Sequence, residues 1–105
     1  MYLIFDTETT GLPRDYNAPI TDTSNWPRVV QLAWQLHEAD GTLVEQKDFL
    51  IRPDGFTIPF QSEQIHGIST ELAELAGEDL GDVLFLFKKA LEKADFIVGH
   101  NVRFD

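Results

Sequence analysis

Asp6 and Glu8 stand one residue apart, directly after the apolar run Tyr2-Leu3-Ile4-Phe5. In an extended backbone, side chains at i and i+2 point to one face, so the spacing predicts two carboxylates projecting together from a strand end. Two such groups repel. A shared proton, a basic neighbour or a metal cation can offset the charge. The first basic residue of the chain is Arg14. Hard oxygen donors of this kind favour Mg²⁺ or Mn²⁺. The competing reading takes Asp6-Thr7-Glu8-Thr9-Thr10-Gly11 as a polar turn with no chemistry. A third carboxylate, Asp105, ends the segment His100-Asn101-Val102-Arg103-Phe104-Asp105, which follows the apolar triplet Phe96-Ile97-Val98 and Gly99. If the two apolar runs are parallel neighbours, Asp6, Glu8 and Asp105 are expected to converge at the carboxyl ends of the strands, where ligands of such sheets gather. Three carboxylates there suit a two-metal site, and such sites serve phosphodiester hydrolysis.

The elements that must position these groups follow from pattern. Residues 2–6 read as a buried strand. Residues 13–27, rich in Pro, Asn, Asp and Thr, read as a surface loop. Val30, Leu32, Trp34 and Leu36 alternate with Gln31, Ala33 and Gln35, the signature of a half-buried strand. Ala39-Asp40-Gly41 supplies a turn, and a partner strand from about 42 to 52 completes a hairpin. Residues 59–75 read as two short helices separated by His66-Gly67-Ile68, with Ser69 as an N-cap. Leu80, Val83, Leu84, Phe87, Leu91 and Ala94 fall at helical spacing, and Asp79 with Asp82 forms a capping-box-like start. Phe96–Val98 reads as a short buried strand. Gly99-His100-Asn101 then leads into a helix whose first turn carries Asp105. The order is β–β–β–α–β with the N-terminal strand central, an α/β sheet.

Bulk properties bound the function. A chain of 105 residues is one domain, 1–105, with 43% hydrophobic and 11% aromatic residues, an ordinary globular composition. Without cysteine it has no disulfide, thiolate metal site or thiol chemistry. No apolar stretch reaches membrane-spanning length and no signal peptide is recognisable, so a cytoplasmic location and no membrane contact are expected. The formal net charge of −10 argues against a DNA-coating protein. It does not argue against a metal-dependent nuclease, whose centre is itself acidic.

Asp6-Thr7-Glu8-Thr9-Thr10-Gly11-Leu12, then His66-Gly67-Ile68, then Gly99-His100-Asn101-Val102-Arg103-Phe104-Asp105 resembles the DEDD 3′–5′ exonuclease superfamily, in particular the group typified by the epsilon proofreading subunit of bacterial replicative DNA polymerase. The resemblance runs from residue 2 to residue 105. It implies a ribonuclease-H-like fold and a two-ion Mg²⁺ or Mn²⁺ site. Asp6 would bridge both ions, Glu8 would help hold the ion that activates water, and Asp105 would support the second. Thr9, Thr10, Gly11 and Leu12 match the stretch that receives the 3′-terminal nucleotide. His66 matches a position near the terminal sugar and base, and Asn101 one lining the groove. The implied partners are a DNA 3′ end and a DNA polymerase catalytic subunit.

In the family a His-x₄-Asp motif further along supplies the general base and the fourth acidic ligand, beyond the position matched by Asp105. General bases contribute 10²–10⁴-fold, so the 105 residues taken alone are expected to be nearly inactive. His37 is expected on a strand, facing solvent or in a partly satisfied site, and His100 in a structural hydrogen bond. Strand 96–98, lacking its family neighbour, is expected to form an exposed edge that favours self-association or a mobile end. Trp34 is expected in the core. Arg14, Arg28 and Arg103 are candidate phosphate contacts. Two other functions compete. One is a non-catalytic interaction domain that keeps the fold. The other is a phosphoryl-accepting, Mg²⁺-binding signalling domain, disfavoured because a hairpin stands where a βαβ unit is required.

Overall fold

The computed structural model describes residues 1–105. Four strands form one mixed sheet in the order β3-β2-β1-β4. They are β1 (Tyr2–Thr9), β2 (Val29–His37), β3 (Leu43–Leu50) and β4 (Phe96–Val98). The hairpin β2–β3 is antiparallel, as the alternation requires, and Gly41 takes the positive φ of 92° at its turn. β1 pairs antiparallel with β2 and parallel with β4, so β1 is internal. Its start is pinned to β4. The Met1 ammonium meets Asp95 at 2.8 Å, and the Asp95 N–H donates to the Met1 carbonyl at 2.8 Å. The hydrogen bond and charge of that ammonium hold the Asp95 carboxyl below its ordinary range.

The helices are α1 (Phe60–His66), α2 (Thr70–Ala76) and α3 (Leu80–Lys93). Ser69 Oγ accepts the Leu72 N–H and an Asp79 carboxylate oxygen accepts the Asp82 N–H, the two caps the sequence signals. α1 ends at Gly67, whose φ of 75° suits a residue without Cβ. One sheet face packs on α3 through Leu3, Leu32, Trp34, Leu36, Val83 and Ala90, with Phe5 and Phe87 against them. A smaller cluster of Val30, Ile58, Ile68 and Ala73 seats α2 on the same sheet face. The other face carries Ile4, Asp6, Gln35, Gln46 and Asp48 and is open.

Three expectations need correction. β1 runs on to Thr9 instead of ending at Asp6, because the ladder to β2 continues through Glu8↔Gln31 whatever the polarity of the side chains. The Asp-Thr-Glu-Thr segment is therefore strand, not turn. β4 is not buried but the exposed edge expected of it: Phe96, Ile97 and Val98 are 72%, 51% and 45% exposed, since the strand has a neighbour on one side only. On α3 the inward stripe runs through Leu80, Val83, Phe87, Ala90 and Leu91, as the spacing predicts apart from Leu84, which faces outward, and Ala90, which the spacing does not include. No helix is long and apolar enough to cross a membrane.

Candidate active site

β1 and β4 lie side by side with Ile4 opposite Val98, so both chains leave the sheet at the same end. Beyond β4, Asn101 closes a single turn. Its carbonyl accepts the N–H groups of Phe104 and Asp105 at 3.0 Å each, and its Oδ1 accepts the Phe104 N–H at 3.3 Å. The turn delivers Asp105 to β1, where the Thr7 hydroxyl donates to Asp105 Oδ1 at 2.6 Å across 98 residues of sequence. The other oxygen, Oδ2, is buried and accepts no hydrogen bond.

The convergence expected of the carboxylates is only partly met. Asp6, exposed on the open face, lines a shallow depression with Ile4, Gln35 and Gln46. A bulge between Glu8 and Thr9 turns the strand end, and Glu8 lines a separate groove with Thr9, Leu12 and His66. Asp105 lines a third cavity with Trp26 and Phe104. No three acidic or histidine side chains stand close enough to hold one metal ion. The cause is the strand's two-residue period. Thr7 points away from the face of Asp6, and Asp105 has docked on Thr7. The donor chemistry still fits a hard cation. Asp6 and Glu8 make no ion pair or hydrogen bond through their carboxylates, and Asp105 keeps one oxygen free.

The groove of about 250 Å³ assembles Glu8, Thr9, Gly11, Leu12 and His66, all expected site residues, beside Ile65 and Phe104. Leu12 and Ile65, 74% and 84% exposed, form an apolar rim. His66 Nδ1 accepts the Ile68 N–H at 3.1 Å. A neutral ring then carries its proton on Nε2, which is buried and makes no bond within the protein. His66 is arranged as a donor, not a base. Thr10 does not line the groove. Its hydroxyl accepts the Arg28 N–H at 2.9 Å and its carbonyl accepts the Ser62 hydroxyl at 2.6 Å, tying the segment to β2 and α1. Asn101 likewise shapes the turn and lines no part of the groove.

Other residues singled out in the sequence meet their expectations unevenly. His100 is exposed and makes no hydrogen bond, so the structural role expected for it is not met. His37 is half-buried, stacked on Tyr2 at 5.2 Å and bonded to Gln35 and the Gly41 carbonyl. Trp34 is core. Trp26 gives its indole N–H to the Pro19 carbonyl within its own loop. Arg28 lies over Phe56, and Arg103 donates to Asn17 at 2.9 Å. Reading the sequence passed over Thr7 and Ser62. Strand alternation could place Thr7 opposite Asp6 and Glu8, but nothing local signals what either hydroxyl meets.

The arrangement has known counterparts. A family model described as an exonuclease, RNase_T, matches residues 3–105. The PolC-type DNA polymerase III of Lacticaseibacillus paracasei is 31% identical over 104 residues, covering 99% of this chain and 6% of the polymerase. Two structures of E. coli exonuclease I, one with a 5cy-dA13 oligonucleotide and one with dT13, superpose with TM-scores of 0.77 and 0.74 at 23% and 20% identity. They are covered over 21% and 20% of their length, by 99% and 95% of this chain. The chain thus spans a small part of the relatives it matches, and the shared sheet is the ribonuclease-H-like one. With that match across nearly every residue and the three motifs in order along it, the chain belongs to the RNase_T exonuclease family, of the DEDD type.

Proposed function

We propose that this chain contributes the first three acidic ligands and the 3′-nucleotide groove of a metal-dependent 3′–5′ exonuclease acting on DNA, of the proofreading kind. The observation that carries the reading is the parallel pairing of β1 with β4, which brings the Asp-x-Glu strand and the turn bearing Asp105 to the same end of the sheet. Asp6 and Glu8, with Asp105, would hold Mg²⁺ or Mn²⁺. Bound there, the ions would supply an activated water and charge stabilisation for phosphodiester cleavage. Glu8, Thr9, Leu12 and His66 would receive the terminal nucleotide, with His66 Nε2–H donating to an oxygen of it. The exonuclease I structures hold oligonucleotides, which supports DNA as substrate. Likeness to a PolC-type polymerase supports a polymerase catalytic subunit as partner, and hence a cytoplasmic site of action.

No residue of the groove is placed as a general base: His66 is a donor, and His37 and His100 lie outside its lining. The 105 residues alone are therefore proposed to bind metal and a 3′ end with little turnover. The test uses a 5′-labelled single-stranded oligonucleotide, Mn²⁺, and a version of the chain extended through a downstream His-x₄-Asp motif. Successive shortening from the 3′ end is expected, lost in Asp6→Ala. Release of the 5′ label as mononucleotide at the outset would refute the polarity.

A further inference from the structure

We infer that the outward faces of α2 and α3 together form a docking surface for a second copy of this chain, in which α2 of each copy lies on α3 of the other. Val30, Leu32, Trp34 and Leu36 share one face of β2; α2 seats at the Val30 end of that face and α3 on the rest. The two helices therefore form one layer, joined only by Gly77, Glu78 and Asp79. That layer covers the sheet face opposite Asp6, so a partner docked on it leaves the Asp6 face open. Ala73 turns α2 inward, and Leu75, two positions on and 87% exposed, points outward. On α3 Val83 is the inward residue, and Phe85, 59% exposed, stands outward in the same way.

Charge distinguishes the two faces. Glu71 and Glu74 accompany Leu75 on α2, and Glu78 follows. Lys88 and Lys89 lie one turn from Phe85, and Lys93 one turn further; these are three of the four lysines in a chain of net charge −10. Lys89 Nζ sits over the Phe85 ring, 4.5 Å from its centroid, so cation and apolar surface form one patch. Even with Asp82 and Glu92 counted, α3 carries three positive charges against two negative. The three glutamates and three lysines are exposed, and none is paired within the chain, whose ion pairs are Met1–Asp95 and Arg52–Asp79. An apolar-acidic face and an apolar-basic face in one layer are self-complementary about a two-fold axis. Where α2 meets α3 of the other copy, the other α2 meets this α3, and both contacts close. Two such contacts, rather than one seven-residue helix alone, can supply the roughly 800 Å² per copy that specific interfaces bury.

The experiment is sedimentation equilibrium of the full 105-residue chain at low salt. It compares the wild type, Lys88→Glu with Lys89→Glu, and Glu71→Lys with Glu74→Lys, the two variants run alone and mixed in equal amounts. The wild type is expected to dimerise, with affinity falling about tenfold or more in about 1 M sodium chloride, where the Debye length is about 3 Å. Each reversed variant sets like charges across the contact and is expected to self-associate about 100-fold more weakly. Mixed, the two restore opposite charges and are expected to dimerise with each other. Pairing through the exposed edge of β4 predicts neither result, because the substitutions lie on the helices. A wild type that stays monomeric would overturn the inference. So would reversed variants that associate alone as the wild type does, or a mixture that stays monomeric. Circular dichroism monitors folding throughout. Should a reversed variant unfold, Lys88→Gln with Lys89→Gln carries the test: association weakened about tenfold at low salt supports the contact, and undiminished association refutes it.

Discussion

Asp6 sits on the open sheet face with no basic partner, and Glu8 follows two residues on. Such groups cost stability in the absence of a cation, because like charges on neighbouring strand positions repel by tenths of a kcal/mol up to about 1. Asp6→Asn is therefore expected to stabilise the metal-free chain by up to about 1 kcal/mol, read as a raised urea midpoint at unchanged slope. In millimolar Mn²⁺ the order reverses, since only the wild type gains the stabilisation that ligand binding confers on the folded state. A destabilised Asp6→Asn without metal would mean that the carboxylate has a structural partner. The types and spacing of Asp6 and Glu8 announced this chemistry in the sequence. Thr7 was silent, because a threonine in a strand is ordinary and its partner lies 98 residues away.

Elements were legible where a local rule decides them. The β2–β3 hairpin followed from strict alternation, and the starts of α2 and α3 from the capping side chains of Ser69 and Asp79. Where neighbours decide, local pattern failed. An apolar triplet such as Phe96–Val98 reads as buried whether it has one adjoining strand or two; only the family resemblance signalled the exposed edge that it forms here. The extension of β1 through polar Asp6–Thr9 depends on backbone pairing with β2, which side-chain polarity does not reveal. The junction between α2 and α3 shows the same limit and gives a test. Gly77 ends α2 with ordinary negative φ, so conformational freedom is not why glycine stands there. Close approach is: a Cβ at Gly77 would lie 2.2 Å from the Ala73 carbonyl and 2.5 Å from the Arg52 nitrogen. Both are backbone atoms, and the contact sits beside the bridge joining Ile51 to Glu78. Gly77→Ala is expected to cost about 1–3 kcal/mol or more, with the melting temperature lowered accordingly. A neutral Gly77→Ala would show that the Ile51–Glu78 junction can open without cost.

At the scale of the whole molecule, 18 acidic against 8 basic residues set a chain of net charge −10 against a polyanionic substrate. A protein that grips nucleic acid with lysine and arginine releases counterions, and its affinity for a single strand falls with a log–log salt slope near −0.7 per phosphate neutralised. None of the eight basic side chains lines the groove, and three of them are engaged elsewhere. Arg28 is stacked over Phe56, Arg103 is bonded to Asn17, and Arg52 lies 3.9 Å from Asp79. If contact runs instead through metal ions, backbone groups and the apolar rim of Leu12 and Ile65, potassium chloride should weaken binding little. The expected slope for a labelled single-stranded oligonucleotide at fixed Mn²⁺, followed by fluorescence anisotropy, lies between 0 and about −2. Removing Mn²⁺, or introducing Asp6→Ala with Mn²⁺ present, should lower affinity at every salt concentration, because the acidic end of the sheet then repels the phosphate it is proposed to bind. A slope steeper than about −4, unaffected by Asp6→Ala, would instead place DNA on a basic surface away from β1 and remove the groove of Glu8 and His66 from substrate binding.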